Sequence, residues 1–154
     1  MGRREDLLRR EAEGWDRIAG LLEDLSPEQL ERPGLTADGW SIKDLQWHVA
    51  VWFEDTARVL DQMGAGTWDG RDPSLEPGWT DRANQEAFER SREMPLEDVR
   101  TAWREQRGRM LAAFGALDDV TPAAVEWFEE SGPSHYAEHL ADLEGWVARV
   151  RSEA

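Results

Sequence analysis

The chain has 154 residues, 33 of them acidic and 18 basic, giving a net charge of −15, and it has no cysteine. That length fits one domain, residues 1 to 154, able to bury about two-thirds of its unfolded surface. The missing thiols exclude a disulfide framework, a thiolate zinc site and a cysteine nucleophile, and the acidity makes nucleic acid an unexpected partner.

No apolar run is long enough to cross a bilayer, and the first residues lead into a charged amphipathic pattern with no signal-peptide core. We therefore expect a soluble, cytoplasmic protein with no membrane partner. Lys43 is the only lysine and Asn84 the only asparagine, a bias of GC-rich coding or of adaptation to salt. Most of the nine tryptophans are expected in the core, because each buries a large area and asks for one acceptor.

Residues 3 to 25 carry Leu8, Trp15, Ile18, Leu22 and Leu25 among charges, a spacing that predicts a long amphipathic helix. Glu11 falls on the same face, where a carboxylate either reaches for the rim or serves as the outer partner of a histidine or as a fourth metal ligand. Ser26-Pro27-Glu28-Gln29 predicts a capped short turn through Leu30, ended by Pro33 and Gly34. Ser41, with Asp44 three positions on, caps a helix to about Met63, whose face is Leu45, His48, Trp52, Thr56, Val59 and Met63.

Residues 64–78 hold four glycines and two prolines, the mark of a long irregular connection. A shorter helix is expected at residues 81 to 92, capped by Thr80, with Ala83, Ala87 and Phe88 as a modest apolar side. Met94-Pro95 breaks it, and a long helix follows to about Leu117 through Val99, Trp103, Met110 and Phe114. Thr121-Pro122 begins one more short turn. Pro133 then opens the last helix, to about residue 151, with Tyr136, His139, Leu140, Leu143, Trp146, Val147 and Val150 as its stripe.

The histidines carry the chemistry. His135 and His139 lie four apart, so both imidazoles share one face of the last helix a single turn apart. Such a pair either chelates a metal or is held by carbonyls and carboxylates, and alone it is an incomplete ligand set. His48, the third histidine of three, also faces inward on its own helix.

Trp40-Ser41-Ile42-Lys43-Asp44-Leu45-Gln46-Trp47-His48 resembles the WSxKDxxxH opening of helix two in the DinB/YfiT-like superfamily. His135-Tyr136-Ala137-Glu138-His139, followed by Asp142-Leu143 and Trp146, resembles its last-helix HxxxH segment. The resemblance implies an all-α four-helix bundle, often a homodimer, with a long connection between helices two and three that holds a short extra helix. It also implies that His48, His135 and His139 hold one divalent metal. Characterised relatives include thiol transferases and isomerases that use mycothiol or bacillithiol, and ClbS-like self-resistance hydrolases.

Three neutral imidazoles leave a divalent ion with an open position, where a bound thiol or water loses its proton more readily. Zinc suits this donor set best, and nickel also suits imidazole. Trp52, Tyr136 and Glu11 are the candidate substrate-contacting residues. The expected activity is metal-dependent S-transfer of a small cellular thiol to a small electrophile. The alternatives are a metal-dependent hydrolase, or a non-catalytic protein that sequesters a toxic small molecule around a structural metal.

Overall fold

Proline and glycine breaks divide the chain into helices at the places the periodicity indicates. The computed structural model describes residues 2–153, and among them there is no strand. The helices are α1 Arg3–Leu22, α2 Pro27–Glu31, α3 Ile42–Ala65, α4 Trp79–Glu93, α5 Leu96–Gly115, α6 Pro122–Ser131 and α7 Pro133–Ser152, with a 3-10 turn at Pro73–Leu75. The described residues are thus all-helical, as the sequence predicts. No helix is long and apolar enough to cross a membrane.

The elements form two compact units, Met1–Ile42 with Asp119–Ala154, and Lys43–Asp118. In the first unit α7 packs on α1 and on α6. The α1 residues that bury are Leu7, Glu11, Ile18 and Leu22, spaced four, seven and four apart, so they form one stripe at 100° per residue. Leu7 takes the place expected of Leu8, which with Trp15 is only half-buried. α1 stops at Leu22, three residues early, because Ser26 caps the next helix: its hydroxyl accepts from the Gln29 N–H and the Gln29 side chain accepts from the Ser26 N–H. Leu25 is buried all the same.

Two glycines set how close the elements of this unit come. A Cβ on Gly14 of α1 would stand 2.7 Å from Cδ2 of Tyr136, so the missing side chain is what lets α7 lay that ring on α1. Gly34 has φ +120° and faces the Trp146 ring, where a Cβ would come within 2.9 Å. Both its backbone conformation and its space demand glycine. α6 is more than the short turn expected. Thr121 accepts from the Ala124 N–H, Pro122 takes the first helical position, and the ten-residue helix buries Ala124, Val125, Trp127, Phe128 and Ser131. Gly132 alone separates it from α7, since Pro133 cannot continue a helix.

In the second unit α3 is buried nearly all round, at Leu45, Val49, Ala50, Phe53, Ala57, Val59 and Leu60, and α5 contributes Leu96, Val99, Trp103, Met110, Ala113 and Phe114. The start of α3 is tied to the end of α4. The Lys43 ammonium donates to the Met94 carbonyl at 3.0 Å, and the Ser91 hydroxyl donates to the Asp44 carboxylate at 2.5 Å. All three polar side chains are buried, so these bonds replace water that the groups have lost. α4 starts at Trp79, after Gly78, instead of at a Thr80 cap. That places the Trp79 ring edge-to-face with Trp52 of α3, centroids 5.9 Å apart, and this packing outweighs the cap.

The tryptophans depart from expectation. Trp103, Trp127 and Trp146 are buried, while the other six are half-buried. Three of those six, Trp47, Trp52 and Trp79, line one cavity.

Candidate metal centre

α7 presents His135 and His139 because Pro133 starts the helix two residues before the first of them. Their ring centroids are 4.8 Å apart with the planes tilted by 55°. His135 is buried and His139 half-buried. Burial pushes the His139 imidazole below its ordinary pKa, with Glu138 and Asp142 on the same helix pulling the other way. The net effect favours the neutral ring, which is the form that binds a metal.

His48 is buried on α3, with its ring edge-on to Trp52 at 6.3 Å. His48 on α3 and the His135–His139 pair on α7 are the nitrogen donors that can hold a metal ion, and such a donor set fits a borderline divalent ion.

Glu11 and Tyr136 meet each other: the Tyr136 hydroxyl donates to the Glu11 carboxylate at 2.8 Å. Glu11 is fully buried, so it does not reach for the rim. The Tyr136 ring also lies 6.4 Å from that of Trp15. Glu138 points outward and is exposed.

Trp52 lines a cavity of about 290 Å³ between α3 and α4, together with His48, Trp47, Trp79, Asn84 and Arg90. The α4 wall was not foreseen. Its signal was Trp79, Ala83 and Ala87, four apart, where two small side chains face bulky indoles and leave space. The Arg90 guanidinium lies over the Trp47 ring, 5.9 Å from its centroid.

An all-helical fold with a three-histidine donor set defines a DinB-like protein with a candidate metal site. The sequence profile of the mycothiol maleylpyruvate isomerase N-terminal domain matches residues 12–141, and the chain belongs to that family. No curated protein and no solved structure matches the chain.

Proposed function

We propose that His48, His135 and His139 bind one divalent metal, zinc or else nickel, and that the protein is a metal-dependent transferase joining a small thiol to an electrophilic substrate. The observation that carries this reading is the His135–His139 pair one turn apart on α7, ring centroids 4.8 Å apart, with His48 as the remaining candidate ligand. Family membership supports a mycothiol-type thiol as co-substrate. A metal in such a site lowers the pKa of a bound thiol, so that a thiolate is available near neutral pH.

The chain's own residues then have defined tasks. The three neutral imidazoles supply donors without neutralising the ion's charge, and burial keeps His139 in that state. The indoles of Trp52 and Trp79 offer an apolar wall beside His48, which holds a substrate and limits water around it. Transfer is favoured over hydrolysis because the nearby carboxylates are otherwise engaged. Glu11 accepts the Tyr136 hydroxyl, Glu138 faces solvent, and a thiol activated by the metal needs no separate general base.

Metal analysis of protein purified without a metal-affinity column is expected to give one divalent ion per chain. The His48→Ala, His139→Ala double variant is expected to lose it. Metal-loaded protein should then consume mycothiol, bacillithiol or glutathione in the presence of generic electrophiles. Undiminished metal in the double variant sinks the ligand assignment, and thiol consumption indifferent to metal sinks the transferase.

A further inference from the structure

Between the two α7 histidines in sequence stands Tyr136, whose side chain is held by α1. His135 is its direct neighbour, and one residue of an α-helix is about 1.5 Å of rise and about 100° of turn. Whatever fixes Tyr136 along and around the α7 axis therefore fixes where His135 and His139 project.

Three polar contacts join α1 to α7. The Tyr136 hydroxyl donates to Glu11 at 2.8 Å, the Arg17 guanidinium to Glu144 at 2.9 Å, and the Arg151 guanidinium to the Leu21 carbonyl at 3.2 Å. Partners advance together along both chains, so the two helices run parallel, and no loop joins them directly to set their register. Side chains have to do it. The Arg17 and Glu144 side chains are 63% and 43% exposed and the Arg151 contact is also exposed, so water competes for these groups and they constrain little. Glu11 and Tyr136 are buried, and breaking their bond leaves polar groups where water cannot replace the lost partner.

The ring is seated as well as the hydroxyl. Gly14 leaves the gap it occupies, since a Cβ there would stand 2.7 Å from Cδ2 of Tyr136. Sliding α7 by one turn, about 5.4 Å, or rotating it about its axis would take the hydroxyl off Glu11 and the ring off that gap at once.

We propose that Glu11 and Gly14 are positioning residues for the α7 imidazoles, acting through Tyr136: the buried bond and the ring seat set the register of α7, and with it the direction in which His135 and His139 present their nitrogens. Resting on the metal reading above, this gives that site its support on α1.

The test measures zinc affinity by competition with a chromogenic chelator, using full-length, metal-stripped protein held well below the unfolding midpoint of each variant. Tyr136→Phe keeps the ring but removes the bond, and is expected to weaken zinc binding about tenfold, the lower end of what lost support around a metal ligand costs. Gly14→Ala, which crowds the ring, should weaken it too. Glu11→Gln keeps an acceptor and should hold an affinity close to that of the unaltered protein, whereas Glu11→Leu should fall as Tyr136→Phe does, and the two losses combined should cost no more than either alone. Val150→Ala removes buried surface at the far end of α7 without touching the seat, so it should lower stability and leave zinc affinity unchanged. Helical content by circular dichroism confirms that each variant is folded. Unchanged zinc affinity in Tyr136→Phe or Gly14→Ala overturns the positioning role and leaves the metal reading standing, while an unaltered protein that binds no zinc overturns both. A loss in Val150→Ala as large as that in Tyr136→Phe would mean general loosening of α7, and a loss in Glu11→Gln equal to that in Glu11→Leu would make Glu11 itself a ligand; either result overturns the proposal.

Discussion

The Tyr136 hydroxyl on α7 donates a 2.8 Å hydrogen bond to a Glu11 carboxylate on α1 that has no exposure to solvent. Tyr136→Phe removes a donor from a buried acceptor while keeping the ring. The expected loss is about 1–3 kcal/mol of unfolding free energy, the usual penalty for depriving such a group of a partner. Glu11→Gln keeps an acceptor for the hydroxyl and should lose less than Glu11→Leu. Urea unfolding of the variants and of the double change measures both the order and the coupling, and an additive double variant contradicts it.

Gly14 sits mid-helix, where alanine would ordinarily stabilise by about 1 kcal/mol through helix propensity. At 2.7 Å from Tyr136 Cδ2, an added Cβ instead forces ring and helix apart. Overpacking of this kind costs about 1–3 kcal/mol. Gly14→Ala is therefore expected to lower the unfolding midpoint, whereas Gly20→Ala on the same helix, with open space around its Cβ, should raise it. Thermal melts of the pair separate packing from propensity, and a stabilised Gly14→Ala variant contradicts the close approach.

What the sequence disclosed follows from which forces are local. Helical periodicity, Ser26-Pro27 and Thr121-Pro122 act within a few residues, so the helices appear where expected, with ends displaced by two or three residues where a neighbour or a cap decided them. The inward face of the histidines was legible for the same reason. The partner of Glu11 was not, since Tyr136 lies 125 positions away. Nor was the α4 wall, where Ala83 and Ala87 read as weak apolar signals although their small size is what opens the cavity. The tryptophan count suggested core, but six of the nine are half-buried, because an indole at a cavity wall is as stable as its contacts and needs no full burial.

Lys43, the only lysine in the chain, is buried and donates to the carbonyl of Met94 at the α4 terminus. A cation at a helix C-terminus also meets the negative end of the helix dipole. Lys43→Met keeps the aliphatic stem but leaves that carbonyl without its donor, at an expected cost of about 1–3 kcal/mol. Since α4 forms the cavity wall, hydrogen exchange should show the last turn of α4 opening more readily in this variant than the middle of α5. Exchange that rises uniformly across the helices would place the role of Lys43 elsewhere.

Burial depresses the His139 pKa in the folded chain, and the sign of the pH dependence follows. In the unfolded chain the imidazole titrates near its ordinary value of about 6.5. Below that pH the unfolded state holds more protons than the folded one, so stability rises with pH through this window. The contribution of His139 is complete above about pH 6.5 and is lost as the pH falls toward the lowered folded value. The metal-free protein should therefore show an unfolding midpoint that declines on acidification below about pH 6.5, less steeply in His139→Gln. Bound metal adds stability through neutral imidazoles only, so its increment in melting temperature should shrink over the same acid range as protons displace it. Melting curves with and without added zinc, taken at intervals from about pH 8 to pH 5, read both effects. A zinc increment that stays constant or grows on acidification would show that imidazole nitrogens are not the donors.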